Sequence, residues 1–352
     1  MKIAVLLSGG VDSSVALRLL KENPKHDVTA FYLKIWLEDE FAHMGDCPWE
    51  QDLAYARAVC KQAGVPLQVV SLQKEYWDHV VSYTIEQVRQ GKTPNPDIFC
   101  NSLIKFGFFL EKIGPSFDKV ASGHYAQLHK KDGICFLKSA PDPVKDQTYF
   151  LSNLSQKQLS KIMFPIGHLS KKEVRAHAQQ FDLPNKDRKD SQGICFLGKI
   201  KFSDFVKQHV GQKKGDLVEF ESGNKMGTHN GFWFYTIGQR QGIGLSGGPW
   251  YVVEKDTEKN TVYISKNYYS QDKVRDSFFV KQVSWATGEI PENKNLKVKL
   301  RHGAVFHDCT ISETPNGLFV KLAQRDQGIA PGQFAVFYED DICLGGGEVF
   351  LA

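Results

Sequence analysis

Leu6-Leu7-Ser8-Gly9-Gly10-Val11-Asp12-Ser13-Ser14 is the stretch around which the rest of the chain is organised. The apolar run before it, 3–7, reads as a buried parallel strand, and 15–20 after it reads as a helix. Gly9 and Gly10 let the backbone turn sharply and approach a ligand with no Cβ in the way. The N–H groups of the first helical turn then face negative charge. A plain strand-to-helix turn explains one serine and one glycine, but not the whole Ser-Gly-Gly-Val-Asp-Ser-Ser cluster. The expected ligand is the phosphate chain of ATP.

Two other glycine motifs fail on their surroundings. Gly91-Lys92-Thr93 resembles the end of a Walker A loop, but the first glycine of that pattern falls on Glu86. Gly242-Ile243-Gly244-Leu245-Ser246-Gly247 matches GxGxxG, yet Gly248-Pro249-Trp250 follows instead of a helix. It reads as a loop.

A chain of 352 residues with 41% hydrophobic residues has room for two or three domains. The net charge of +4 does not by itself argue for nucleic acid. Between 186 and 215, eight Lys or Arg face three Asp, which could hold phosphates or be a solvated basic face; charge alone favours the latter. No apolar run approaches the ~20 residues that span a bilayer, and the N-terminus is a strand, not a leader. The expectation is a soluble cytoplasmic protein without membrane contact. Seven cysteines form no CxxC pair. In a reducing compartment such cysteines are mostly buried apolar residues, and no zinc or iron–sulfur site is expected.

Along the chain, 28–35, 67–72 and 119–122 read as further strands, and 52–63, 74–90, 101–113 and 170–181 as helices. The acidic stretch 38–46 reads as a loop. Strands alternating with helices imply an α/β domain with a parallel sheet, ligands lying at the carboxyl ends of its strands. Leu33 and Gly123 fall at such ends and make plausible walls of an adenosine pocket. Beyond about 210, short alternating segments (among them 216–220, 232–235, 250–254, 277–283 and 334–338) read as a small β domain followed by a β-barrel. The expected domains are 1–210, 211–272 and 273–352.

Two cysteine segments carry the candidate chemistry. In Thr93-Pro94-Asn95-Pro96-Asp97-Ile98-Phe99-Cys100-Asn101 two prolines stiffen a loop that feeds a helix. A helix dipole would favour a Cys100 thiolate, and Asp97 lies one turn away as a general acid/base or a helix cap. In Asp190-Ser191-Gln192-Gly193-Ile194-Cys195-Phe196-Leu197-Gly198 a cysteine sits between glycines, beside the basic run that would stabilise a sulfur anion. Taken alone, Cys100 reads better as a buried cysteine at a helix start, and the apolar neighbours of Cys195 leave it weak evidence for reactivity.

The loop 8–13 resembles the pyrophosphate loop of the PP-loop ATP pyrophosphatases. With it, Thr93–Asn101, Ser122–Ala126, Lys145-Asp146-Gln147, Ser191–Gly198 and Thr236-Ile237-Gly238-Gln239-Arg240 occur in the order found in the bacterial and organellar tRNA-specific 2-thiouridylases. The likeness spans essentially the whole chain. It departs at Leu245-Ser246, where the family continues Ile-Gly-Gly after Gly244.

This resemblance implies a catalytic domain of the adenine nucleotide α-hydrolase type, a central β-rich domain and a tRNA-contacting barrel. It implies that Leu6, Leu7, Ser8, Gly9, Gly10, Val11, Asp12, Ser13, Leu33 and Gly123 bind ATP, with Mg2+ accompanying it. ATP would adenylate O2 of the wobble uridine in the tRNA anticodon loop, making a poor leaving group into AMP. Cys195 would carry a persulfide delivered by a sulfur relay protein, and Cys100 would be the nucleophile. Cys100 either frees sulfide from the carrier, leaving a Cys100–Cys195 disulfide to be reduced each cycle, or resolves a persulfide adduct at C2. Asn95, Pro96 and Asp97 would touch the target base, with further tRNA contacts from His124, Lys145, Asp146, Gln147, Arg301, His302 and Gln333. The enzyme is expected to act as a monomer. Rival readings are an amide ligase of the same superfamily, a different tRNA thiolase and a non-catalytic RNA binder. The ligase and the binder need no cysteine pair, and the binder releases no pyrophosphate.

Overall fold

The computed structural model describes residues 1–35, 48–190, 200–273 and 275–351. The acidic stretch 38–46 and the segment Ser191–Gly198 with Cys195 lie outside the described residues.

The N-terminal part is a parallel sheet. In chain order it contains β1 (Lys2–Leu6), α1 (Val11–Lys21), β2 (Asp27–Lys34), α2 (Pro48–Ala63) and β3 (Leu67–Ser71). Helical segments Gln73–Tyr76, Trp77–Val81 and Ser82–Arg89 follow as α3, and Pro96–Phe99, Cys100–Phe108 and Phe109–Ile113 as α4. Then come β4 (Lys119–Ala121), β5 (Gln127–Lys131), β6 (Ile134–Lys138), α5 (Thr148–Leu151), α6 (Gln156–Leu159), β7 (Ile162–Met163), α7 (Lys171–Gln180) and α8 (Phe202–Val210). The sheet order is β3-β2-β1-β4-β7, all parallel. Period-two alternation explains how β1 serves two cores. Ala4 and Leu6 pack with residues of α3, α4 and α8, while Ile3, Val5 and Leu7 pack with α1, α2 and α7.

The central domain contains β8 (Gly215–Glu219), β9 (Lys225–His229), β10 (Tyr251–Asp256) and β11 (Thr261–Ser265), ordered β10-β11-β8-β9. The expected strand at 232–235 is instead a 3-10 turn, Phe232–Phe234, entered through Gly231 at φ +141°. Its aromatic run fills the small core as a plug beside Leu217 and Val262, not as a strand.

The C-terminal strands are β12 (Ser277–Trp285), β13 (Asn295–Lys299), β14 (His307–Thr314), β15 (Gly317–Leu322), β16 (Phe334–Glu339) and β17 (Ile342–Phe350). They close antiparallel into a six-stranded barrel in the order β12-β15-β14-β13-β16-β17, with β17 returning to β12. The hairpin β5–β6 leaves the N-terminal domain and adds to this sheet, Leu137 opposite Cys343. β16 is buried on both faces. Ala335 and Phe337 fill the barrel, while Phe334, Val336 and Tyr338 join the core of the N-terminal domain. Barrel and N-terminal domain therefore share apolar packing. Among the described residues no helix is long and apolar enough to cross a membrane.

Candidate active site

The loop after β1 lies where the strand order reverses, between β1 and β4, the place where open parallel sheets take ligands. Ser13 Oγ and Ser14 Oγ donate to Gly10 O at 3.1 and 2.9 Å, and Ser8 N donates to Ser13 Oγ at 3.3 Å. The serines thus hold the loop closed, and Gly10 opens α1 with no side-chain cap over its first-turn donors. Two glycines are required by space. Gly9 has φ +77°, and a Cβ there would stand 2.2 Å from Asp52 O. A Cβ on Gly123 would stand 2.6 Å from Ser13 N, so β4's exit presses against the start of α1. With ATP as the expected ligand of this loop, Gly123→Ala is expected to lower ATP-dependent pyrophosphate release roughly 10²-fold, since displacing the loop by about 1 Å would misalign a phosphate chain held there. Unchanged release would show that this close approach is not needed.

A polar network, unsuspected from sequence, surrounds the loop. Asn185 Nδ2 donates to Gly9 O at 2.8 Å and Ser14 Oγ at 3.0 Å. Arg188 donates to Gly9 O at 3.0 Å and pairs with Asp52. Asp12 accepts from Tyr125 OH at 2.9 Å and Lys171 Nζ at 2.6 Å. Asp190 gathers Lys171 and Lys145, each at 2.8 Å, and Arg175 at 2.6 Å. Burial raises the Asp190 carboxyl, but its bonds to Lys145 and Lys171 outweigh this and hold it well below the ordinary range. Burial, then the charge and hydrogen bond of Asp12, push the Tyr125 phenol up, so it stays a donor. Four cations (Lys145, Lys171, Arg175 and Arg188) thus face three carboxylates beside uncapped helix N–H groups. Such a crevice is built to take added negative charge.

Cys100 lies on α4. The expected helix 101–113 in fact starts at Pro96, which fits the first turn because a proline needs no N–H partner there. Cys100 is therefore inside the helix, not in its first turn, and the dipole argument for its thiolate loses most of its force. From Cys100 to Phe108 the helix is wound as a π-helix, its end marked by the Phe109 N–H bond to Ile104 O. Cys100 is 0% exposed. Asp97, three residues earlier, is half-buried on the same helix. The preceding loop is held by the other two domains. Thr93 N donates to Pro331 O at 2.8 Å, Thr93 and Thr236 hydroxyls meet at 3.5 Å, and Lys92 pairs with Glu348 at 3.3 Å. Asn95 bonds the Tyr149 hydroxyl.

The remaining candidate residues fall in three places. Lys145 belongs to the phosphate-loop network, and Gln147 braces Tyr125, accepting its N–H at 3.0 Å. His124 sits between Phe106 and Phe164, with Nδ1 2.8 Å from Ser122 Oγ; burial, then Lys105, lowers its pKa well below the usual value, so it is neutral at pH 7. Asp146 is enclosed: its carboxylate binds Lys299 Nζ at 2.9 Å and accepts from Thr148 Oγ1 and Ala140 N. Exposed His302 stacks on Phe150 and lies 3.1 Å from Asp146 O. Arg301 pairs with Asp326 at 2.6 Å, and Gln333 accepts from Ala330 N at 3.1 Å. Leu33 is the penultimate residue of β2, beside Val70 in β3.

Three family models match the chain: a tRNA methyl transferase HUP domain over 1–199, a tRNA methyl transferase PRC-barrel domain over 203–266, and an aminomethyltransferase beta-barrel domain over 275–349. Relatives cover essentially its full length. The tRNA-specific 2-thiouridylase MnmA of Parabacteroides distasonis is 47% identical, covering 99% of both chains. The protein of the same name from Porphyromonas gingivalis is 46% identical, again covering 99% of both.

Proposed function

The chain belongs to the tRNA-specific 2-thiouridylase family, and from that premise we propose that it replaces O2 of the wobble uridine in tRNA with sulfur, at the expense of ATP. The observation that carries the reading is the juxtaposition of two features in one domain. A cation-lined phosphate crevice closes β1, and a cysteine helix packs on the same sheet, its entry loop held by both β domains.

The chemistry follows from leaving groups. The uracil C2 carbonyl is a poor electrophile. In the proposed first step O2 attacks the α-phosphate of ATP, pyrophosphate leaves, and O2 becomes part of a good leaving group, AMP. Ser8 to Ser13, α1's N–H groups and the Lys171–Arg188 cations hold the departing pyrophosphate. Mg2+ travels with the phosphates, in keeping with its preference for a few carboxylates and many waters. The terminal sulfur of a Cys195 persulfide, loaded by a relay protein, then attacks C2 and AMP leaves. Cys100 attacks the Cys195 sulfur, releasing the 2-thio base and leaving a disulfide that a two-electron reductant must open. In the other order, Cys100 first frees sulfide from the persulfide and sulfide attacks C2. Asn95, Pro96 and Asp97 approach the extruded base, which must leave its stack to be reached. We place the reaction in the cytoplasm, on a monomer.

Incubation of unmodified tRNA with the protein, ATP and a persulfide donor is expected to give a uridine with one oxygen exchanged for sulfur by mass spectrometry, with matching pyrophosphate release. An unmodified or methylated nucleoside overturns the reading.

A further inference from the structure

In β10 the residues facing the central core should be apolar. Val252 lies opposite Ile264 and Lys255 opposite Val262, and directly opposed residues of an antiparallel pair point to the same face. Ile264 and Val262 are both fully buried, and Val262 pairs onward with buried Leu217. Lys255 thus occupies a core-facing position in the strand. Two other sequestered lysines have counter-ions: Lys299 has Asp146, and Lys273 has Glu221 and Asp272. Among the described residues Lys255 has none; its one hydrogen bond runs from Nζ to Tyr235 O at 2.9 Å. Desolvation lowers its pKa to about 8.

The ammonium lies at a functional boundary. Tyr235 precedes Thr236, whose hydroxyl meets that of Thr93 at 3.5 Å. Thr257, two residues after Lys255, abuts the same loop: a Cβ on Gly91 would stand 2.5 Å from its Cγ2. The carbonyl that Lys255 holds is thus one residue from Thr236, through which the central domain meets the loop entering Asn95, Pro96 and Asp97. One of the ammonium's three donors is used on Tyr235 O, leaving two for an anion.

We infer that Lys255 is a binding site for a phosphodiester of the bound RNA strand, next to the extruded base. The site rests on the proposed function, because only an RNA seated on the 93–97 loop brings a phosphate there. The stem lies in the central core and fixes the ammonium, and the strand supplies the missing counter-ion.

The test measures binding of unmodified tRNA across a salt series for the wild type, Lys255→Met and Lys255→Arg. Met keeps the apolar stem and removes the charge. The expected result is a log Kd against log salt slope shallower by roughly 0.7 for Met, with the wild-type slope restored in Arg. A purely structural lysine would change the affinity but not this slope. An unchanged slope in Met overturns the inference, and if Met does not fold, Lys255→Gln gives the same comparison. A wild type that fails to thiolate tRNA removes the proposed function and this site with it. A wild type that thiolates, with a salt slope indifferent to position 255, removes the site alone.

Discussion

Exchange of Cys195 for serine is expected to end thiolation of tRNA while ATP binding at the loop of Ser8 to Ser13 stays intact. A serine hydroxyl can neither carry a persulfide nor form the disulfide with Cys100, so the loss should be about 10³-fold or more, as for removal of an essential nucleophile. Cys100→Ser should give the same loss by a different route, because either order of steps needs a thiol to displace sulfur from Cys195. Cys100 is fully buried within a core that includes Ile98 and Ile104. Its replacement by a hydroxyl therefore also weakens the fold, by about 1–3 kcal/mol if the hydroxyl finds no partner. Nucleotide binding separates the two effects. A variant that binds ATP normally but makes no 2-thiouridine has lost chemistry, not structure. Product from both variants at near wild-type rates would leave the phosphate crevice and the thiolation in place but remove both cysteines from the sulfur transfer. The burial of Cys100 adds a condition to the proposed sulfur transfer: for Cys100 to take part, helix α4 or what covers it has to move. The π-wound stretch that starts at this residue is a natural place for such movement, since π-helical turns pack and bond less regularly than α-helical ones.

Local signals made the first strand, its loop and α1 readable: the apolar run Ile3 to Leu7, two glycines and a serine cluster all act within a dozen residues. The barrel strands were readable for the same reason. The start of α4 was not, because Pro94 and Pro96 signal a rigid loop as strongly as Pro96 signals a helix's first turn. The β5–β6 hairpin was missed because Leu128, His129, Lys130 and Lys131 are exposed and carry no buried alternation; β6 finds its outer partner, β17, some two hundred residues later. The phosphate network was hidden for the same reason of distance. Asn185 and Arg188 reach Gly9 across 176 and 179 residues, and Lys171 reaches Asp12 across 159. A capping box at Ser170 and Glu173 explains the helix around Lys171 so well that the lysine itself attracts no notice. The basic run was half legible. Lys186 is spent on Asp182 at the surface, while Arg188, two residues on, braces the loop. Charge composition cannot distinguish the two.

Lys299→Met is expected to cost about 3–5 kcal/mol of stability, read from the shift of the denaturant midpoint. Lys299 and Asp146 are each 1% exposed, 2.9 Å apart, and join the barrel to the catalytic domain. Removing the lysine leaves a desolvated carboxylate that Thr148 Oγ1 and Ala140 N only partly satisfy. The double variant Lys299→Met with Asp146→Asn should recover most of the loss, because the amide oxygen keeps both acceptor contacts and no charge remains buried. A double variant as unstable as the single one would show that packing, not charge, is what Lys299 supplies. The pair also bears on function. Asp146 O lies 3.1 Å from His302, which stacks on Phe150, and Phe150 O accepts from Asn101 Nδ2 at 3.1 Å, the residue after Cys100. The barrel is thereby tied, contact by contact, to the helix that carries Cys100. Asp146 was assigned to tRNA by resemblance, but its carboxylate is fully occupied inside the protein. Asp146→Asn should accordingly lower stability while leaving the affinity for tRNA, measured well below the unfolding midpoint, within about twofold. A tenfold loss of affinity in a fully folded variant would instead mean that the carboxylate turns outward to meet RNA, and that Lys299 is its resting partner rather than its permanent one.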